Sequence, residues 1–319
     1  MLLTLLILSS CEEFLDVDIP KNEINQEMVF SDDRMALSAL TNTYSKIRDQ
    51  GFFAGNKVGM GYLLGCYTDE LEVTNLQESS YLRFYNTNVL SNNTAVASLW
   101  HNTYNQIYVL NNVLEGLEKS KTVSQDVRDQ LKGEALALRG ILHFYLAQTF
   151  GSVPYVLSTD YKINTTIRKR SVDAVIAQAL EDLTLAEQLV SAAYPSSERV
   201  RINKSVVEGF LARMYLYQKN WDQAQHYAEK LINDSNFRLE PVDVVFLKES
   251  KSAIWQLKPE TEGRNTLEAG EYQFESTPAP FARLSTKLLN GSEQGDTRKE
   301  FWVKFVGADG LNTCAIKYR

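Results

Sequence analysis

Cys11 is the residue whose surroundings point most clearly to chemistry. It follows the apolar run of residues 2–8 and the small residues Ser9 and Ser10. This is the pattern of a bacterial lipobox, in which a peptidase cleaves before the cysteine and the thiolate then accepts a diacylglyceryl group. We therefore expect residues 1–10 to be a lipoprotein signal peptide and Cys11 to carry a lipid that anchors the chain to a membrane. The tail of an ordinary signal peptide and a buried core cysteine are the alternative interpretations.

Acidic residues cluster at Asp69, Glu70 and Glu72. A glycosidase needs two carboxyl groups that face each other across a cleft, and closeness in sequence does not supply that geometry. A solvated acidic loop is the simpler interpretation, with a glycan-degrading enzyme as a minor alternative. The chain has no G-x-S-x-G or phosphate-binding glycine motif, and its three histidines have no metal-ligand spacing. We therefore predict a non-enzymatic protein with no catalytic residues, no cofactor and no metal site.

Aromatic side chains are numerous, with 16 Tyr, 14 Phe and 4 Trp. Aromatic rings stack on the flat apolar faces of sugars, while amides and acids hold the hydroxyl groups. Such residues recur in stretches of the chain that lack a helical period, although most of them could instead belong to the core. The predicted ligand-binding residues are Tyr67, Asp69, Tyr81, Arg83, Tyr85, Asn86, Trp255 and Tyr272.

The bulk composition describes a globular protein. The chain has 319 residues, of which 44% are hydrophobic and 23% charged, enough to bury a sizeable core. Its net charge of −7 argues against nucleic-acid binding, which usually needs a basic face. Beyond residues 2–8 no apolar run is long enough to span a bilayer. Cys66 and Cys314 are too far apart in sequence to establish a disulfide, and two independent, partly buried thiols are the preferred interpretation.

Helical periodicity dominates the middle of the chain. Ala212, Tyr215, Ala224 and Ala228 fall at the spacings of a tetratricopeptide repeat. Because each helical hairpin needs a neighbour to cover its open face, the pattern predicts a stack of hairpins. The first predicted helix spans residues 31–49, with Ser31 as its N-cap. The other predicted helices span 94–119, 124–150, 171–192, 204–219 and 221–233.

Two regions lack that period. Residues 51–93 are rich in glycine and read as a long functional loop. After residue 240, prolines interrupt the chain, and short apolar runs at 254–257 and within 297–319 could be strands. The predicted fold is therefore mainly α: a tetratricopeptide-like stack with a loop-rich, partly β, ligand-binding portion. The predicted segments are the signal peptide 1–10, an N-terminal segment 11–93 with the anchor, the first helix and loops, the repeats 94–240, and the loop-rich segment 241–319.

Three charged residues are expected to be structural. Arg139 lies among apolar neighbours of a predicted helix, and a buried guanidinium must be paired with a carboxylate or with backbone carbonyls. Asp296 and Arg298 are expected to form an ion pair or a helix cap rather than a ligand contact.

Five stretches, in order along the chain, together resemble the SusD/RagB family of outer-membrane lipoproteins from Bacteroidetes. The third is the most specific of them. They are CEEFLDVDIPKNEI at 11–24, LWHNTYNQIYVLNNVLEGL at 99–117, GEALALRGILHFYLAQTFGSVPYV at 133–156, the hairpin at 207–232, and Asp296-Thr297-Arg298.

This resemblance implies a SusD-like α superhelix on the cell surface, held in the outer membrane by the lipid. Such a protein captures oligosaccharides or other nutrients and delivers them to a SusC-like TonB-dependent transporter. The helical half would be the scaffold and the transporter contact, and the loops would hold the ligand. The alternative is a repeat-containing lipoprotein that acts in outer-membrane assembly or as a scaffold, for which we expect a surface without a groove.

The sequence departs from the family pattern at both ends. No Lys or Arg precedes Cys11, as a signal peptide would normally have, so we expect the natural start to lie upstream. Members of the family continue with a final helical pair after a segment like residues 316–319. The chain is therefore expected to lack its C-terminal part.

Overall fold

The computed structural model describes residues 26–77, 79–308 and 310–318, so the predicted signal peptide and the predicted lipid site, Cys11, lie outside the described residues. None of the helices in these ranges is long and apolar enough to cross a bilayer. The helices are α1 Gln26–Val29, α2 Asp33–Asp49, α3 Met60–Tyr67, α4 Ser80–Tyr85, α5 Thr94–Lys119, α6 Gln125–Phe150, α7 Tyr161–Asn164, α8 Val172–Leu189, α9 Lys204–Tyr217, α10 Trp221–Ile232, α11 Leu267–Tyr272, α12 Thr286–Asn290 and α13 Thr297–Trp302. The strands are β1 Leu71–Val73, β2 Ala282–Leu284, β3 Val303–Val306 and β4 Asn312–Ala315.

Side-chain caps fix where the helices begin. Asn93 accepts hydrogen bonds from the first backbone N–H groups of α5, and Asn203 does the same for α9. The predicted cap of α2 is wrong by one residue: Asp32 accepts from the Met35 N–H at 2.8 Å, while the Ser31 hydroxyl donates to an upstream carbonyl. Ser124 occupies the N-cap position of α6, but its hydroxyl donates to Asp33 at 2.7 Å and so connects the start of α6 to α2.

The long helices pack on their neighbours in sequence order, from α5 through α6, α8 and α9 to α10. Helix α6 lies at the centre and buries large side chains such as Phe144 and Leu138. Gly140 has no side chain, so Leu183 and the Ala179 carbonyl of α8 can approach the α6 backbone closely. The predicted helical stack, mainly α in fold class, is confirmed.

Arg139 is paired inside this stack, as expected. Its Nε and Nη2 donate to the two carboxylate oxygens of Asp182 at 2.8 and 2.7 Å, and Nη1 donates to Asn111 at 2.9 Å. The Tyr155 hydroxyl donates to Asp182 at 2.7 Å. Because all four side chains are buried, the network replaces the water that each charge has lost.

The regions outside the stack are more regular than predicted. The interpretation of residues 51–93 as one long loop is wrong, because they contain α3, β1 and α4. Elements of three to eight residues are too short to show a period in the sequence. Residues 254–257 do not form the predicted strand. The β-like runs within 297–319 are confirmed as the antiparallel pair β3–β4.

The N-terminal and C-terminal regions meet in a small sheet. Strand β1 pairs with β2 in antiparallel register, so that Leu71 lies opposite Leu284 and Glu72 opposite Arg283. The last pair is also an ion pair, with a nitrogen–oxygen distance of 2.7 Å. This contact closes a chain separation of 211 residues and places α3 beside the C-terminal elements.

The two described cysteines are separate buried thiols, as expected. Burial raises the pKa of Cys66 to about 12 and also raises the pKa of Cys314. We therefore expect neither thiol to react with a thiolate-directed alkylating reagent at neutral pH in the folded chain. Mass spectrometry after a short iodoacetamide pulse should show both unmodified in buffer and both modified in denaturant. Rapid native labelling of either cysteine would contradict the packing described.

Candidate functional site

A cleft of about 710 Å³ lies where the small sheet meets the C-terminal elements. Helix α3 and the turn into β1 form one side, and α12, α13 and β4 form the other. The lining side chains that carry charge or an aromatic ring are Asp69, Glu70, Glu268, Tyr272, Lys287, Asp296, Arg298, Lys299, Trp302, Lys317 and Tyr318.

Two glycines shape the α3 side of the cleft. Gly61 and Gly65 lie one turn apart on that helix. A β-carbon at Gly61 would lie 3.8 Å from the Tyr272 hydroxyl, and one at Gly65 would lie 3.1 Å from Leu71. Gly65 thus lets Leu71 of β1 stand close to α3, whereas a β-carbon at Gly61 would lie at ordinary contact distance from Tyr272.

Charges in the cleft are balanced in sign, with four acidic and four basic side chains. Asp69 pairs with Lys287 at 2.6 Å, and Asp296 pairs with Arg298 at 2.7 Å. Asp296 also caps α13, so the structural role expected for this pair is confirmed. A cleft without excess charge suits a polar, uncharged ligand.

One wall of the cleft is a fixed aromatic cluster. The Trp302 and Tyr318 rings meet Phe246 edge-on, with centroid distances of 5.0 and 5.4 Å. Trp302 Nε1 donates to the Val242 carbonyl at 2.8 Å, which fixes the indole. Lys317 lies 5.0 Å from the Phe246 ring centroid, and burial lowers the pKa of its ammonium.

Two of the eight predicted ligand residues line this cleft, Asp69 and Tyr272. Tyr81 does not line the cleft but is connected to Tyr272 through Tyr62. The ring centroids of Tyr81 and Tyr62 are 5.9 Å apart, and those of Tyr62 and Tyr272 are 5.6 Å apart. Tyr62 was not predicted, and its buried hydroxyl has no hydrogen-bond partner among the described residues.

The other predicted residues lie elsewhere. Tyr67 is 48% exposed beside the Phe84 ring. Arg83 and Tyr85 are half-buried on α4, and Asn86 is the exposed C-cap of that helix. Their role in ligand binding stays a prediction, and the structure does not bring them into the cleft.

Trp255 belongs to a different cluster. Its ring lies 6.3 Å from Tyr44 and 6.2 Å from Phe53, and its Nε1 donates to the Val200 carbonyl at 3.1 Å. Trp255 does not line the cleft, and its role in ligand binding stays a prediction.

Several cleft residues were missed by the sequence analysis. Trp302, Lys317 and Tyr318 come from the last part of the chain, and Lys287 comes from the short helix α12. The one sequence signal near them is the Asp296-Thr297-Arg298 element, which opens α13.

The acidic cluster is engaged in ion pairs. Asp69 binds Lys287 and Glu72 binds Arg283, so two of its three carboxylates already face cations. Within the described ranges no group of three or more His, Cys, Asp or Glu side chains is arranged to hold a metal ion.

Comparison with known proteins matches this chain to one family. The sequence model of a SusD-like family, described as starch-binding and associating with the outer membrane, matches residues 13–216. A curated SusD-like protein from Formosa agariphila is 22% identical over 237 residues, which are 71% of this chain and 44% of the relative. The chain therefore spans less than half the length of that relative.

Solved structures share the fold. A SusD-like carbohydrate binding protein from Bacteroides vulgatus superposes with a TM-score of 0.72 at 23% identity, covering 91% of this chain and 66% of its own. Surface glycan-binding protein A from Bacteroides uniformis superposes with a TM-score of 0.75 at 19% identity, covering 90% and 69%.

Proposed function

This chain belongs to the SusD-like family, and on that premise we propose that it is a cell-surface lipoprotein that binds oligosaccharides in the cleft. The observation that carries the proposal is the cleft itself, which combines the rings of Tyr272, Trp302 and Tyr318 with balanced polar groups. Rings that cover the apolar faces of a sugar, beside groups that hydrogen-bond its hydroxyls, are what carbohydrate binding needs.

The size and charge of the cleft narrow the ligand class. Its volume of about 710 Å³ falls within the range usual for small-molecule sites. The lining carries equal numbers of acidic and basic side chains, so no excess positive charge selects an acidic sugar, and neutral oligosaccharides are the proposed ligands. The assembly or scaffold alternative would have a surface without a groove, and the cleft therefore favours ligand binding.

Isothermal titration of the full chain with a panel of neutral oligosaccharides, such as malto-, fructo- and xylo-oligosaccharides, tests this function. We expect saturable binding of at least one member, with no new reducing ends released during incubation. Absence of heat across the whole panel would contradict oligosaccharide capture. Release of reducing ends that disappears on Asp69→Asn and Glu70→Gln substitution would favour the glycan-degrading enzyme.

The aromatic side chains that line the cleft are expected to supply most of the affinity for oligosaccharide. Replacing Trp302 or Tyr272 with alanine should weaken the binding of the best oligosaccharide about tenfold or more, because ring contacts at the centre of a site are frequent hot spots. Titration of each variant measures this. Trp221 is a matched control, since it is 59% exposed on α10, away from the cleft. Equal losses of oligosaccharide affinity in Trp221→Ala and Trp302→Ala would contradict ligand binding in the cleft.

We further propose that Cys11 carries the lipid anchor and that a SusC-like TonB-dependent transporter in the outer membrane receives the ligand. The family description and the lipobox sequence support this. Pull-down of the tagged protein in mild detergent, followed by mass spectrometry, should recover a stoichiometric large barrel. Recovery of barrel-assembly components instead would support the scaffold alternative. A mature N-terminal peptide without acyl mass would exclude the anchor.

A further inference from the structure

Residues 157–170, here called the basic loop, expose apolar and basic side chains together. Leu157, Tyr161 and Ile163 are 44%, 71% and 51% exposed. The chain as a whole is acidic, with a net charge of −7. The basic loop has the opposite sign, because it carries four basic side chains and one acidic side chain. The basic side chains are Lys162, Arg168, Lys169 and Arg170, all of them exposed.

The basic loop is held on the helical stack. The chain leading into it runs along α5: the Tyr104 hydroxyl donates to the Pro154 carbonyl at 2.8 Å. Near the end of α5, Glu115 accepts from the Thr159 N–H at 2.8 Å and from its hydroxyl at 2.6 Å. The loop therefore extends toward the C-terminal end of α5 before it returns, and the Arg170 N–H donates to the Val153 carbonyl at 2.9 Å.

The N-terminal part of the described chain packs on the same end of α5. The Ser120 hydroxyl donates to the Phe30 carbonyl at 2.7 Å. The Phe30 ring lies against Gly116, where a β-carbon would have no room. Gly116 follows Glu115 directly, so Phe30 and the basic loop contact the same turn of α5. Phe30 follows the proposed lipid site, Cys11, by 19 residues.

We propose that the basic loop is a membrane-contact surface, which meets the anionic lipid surface of the outer membrane beside the lipid anchor. Tyr161, Leu157 and Ile163 can enter the headgroup boundary, and the basic side chains can lie against lipid phosphates. An acidic polysaccharide would pair with the charges but would leave the exposed aliphatic side chains without a role. The proposed lipid site, 19 residues before Phe30, favours a lipid surface over an acidic protein patch. The orientation rests on the proposed anchor, whereas the affinity of the loop for lipid does not.

Vesicle co-sedimentation tests the surface, with the full chain carrying Cys11→Ser in every variant so that no acyl group contributes. The measured quantity is the partition coefficient for phosphatidylcholine–phosphatidylglycerol vesicles divided by that for phosphatidylcholine vesicles. Residues 2–8 are common to all variants, so their contribution to the two partition coefficients is the same throughout. We expect the Lys162→Gln, Arg168→Gln, Lys169→Gln triple variant to lower this ratio at least tenfold, because each basic residue near an anionic surface contributes about fivefold.

Two further variants separate charge from insertion. Tyr161→Ser with Ile163→Ser should weaken binding to both kinds of vesicle. Lys251→Gln with Arg264→Gln removes exposed charges from the loop-rich segment and should leave the ratio within about twofold, as these charges are proposed to lie away from the lipid. Circular dichroism confirms that each variant is folded. A ratio near one for the parent chain would overturn the proposal, as would equal losses in the control variant. If the basic loop were needed for binding to heparin and the chain did not bind vesicles, the partner would be an acidic polymer and not a lipid surface.

Discussion

Replacing Asp182 with alanine is expected to lower the free energy of unfolding by about 3–5 kcal/mol, among the largest effects of any single substitution in this chain. The reason is that Arg139 would keep its charge inside the stack without its bidentate partner. The side chains of Arg139 and Asp182 are only 8% and 7% exposed, so water cannot take the place of the carboxylate. Urea denaturation at neutral pH measures the loss.

A double variant shows where this loss comes from. With Arg139→Met and Asp182→Leu together, neither member of this pair leaves an unpaired charge in the stack, and we expect stability to recover most of the way toward the parent chain. The exposed pair of Lys304 and Glu275 is the matched control, and Glu275→Ala should change stability little. If Asp182→Ala were as mild as Glu275→Ala, the buried network would not hold the stack together.

Acidification is expected to destabilise the chain through His143. Its Nδ1 lies 2.9 Å from the Arg139 carbonyl and its Nε2 lies 3.0 Å from the Val156 N–H. Only the neutral ring with its proton on Nδ1 satisfies both partners, because a second proton on Nε2 would face the Val156 donor. Burial, together with the nearby Arg139 charge, lowers the pKa of His143 from 6.5 to about 3.

The sign of the pH effect follows from this lowered pKa. The unfolded chain binds the His143 proton below about pH 6.5, whereas the folded chain resists it until about pH 3. Stability is therefore fully present above pH 6.5 and falls with decreasing pH by about 1.4 kcal/mol per unit, for one proton. The free energy of unfolding is measured by urea denaturation at several pH values for the parent chain and for His143→Gln. The difference between the two chains isolates this slope. His226 is exposed, so His226→Gln should leave the slope intact. A slope unchanged in His143→Gln would contradict the neutral buried ring.

The helical stack could be predicted because its signals are local. The helix predicted over 94–119 matches α5, and the helix predicted over 204–219 ends within two residues of α9 at Tyr217. The pairing of Arg139 also followed from the sequence, since a guanidinium among apolar helix positions must have a partner. The identity of that partner, Asp182, did not, because it depends on how α6 and α8 cross.

The cleft could not be predicted in the same way, because its walls come from distant segments. Asp69 meets Lys287 across 218 residues, Trp302 is the last residue of α13, and Tyr318 follows β4. The search for aromatic residues in stretches without a helical period did select Tyr272, which lines the cleft. The same signal also selected Trp255, which does not line the cleft, because the sequence alone does not show which rings the fold brings together.

Hydrogen exchange of the full chain, with and without the tightest-binding oligosaccharide, tests most directly whether the cleft is the site. We predict slower exchange at backbone amides of residues 68–71, 287–291 and 315–318, which line the cleft or border it, and no change in α9 and α10. Protection confined to the helical stack, or at residues 80–86 without the cleft, would contradict the account and place the ligand elsewhere.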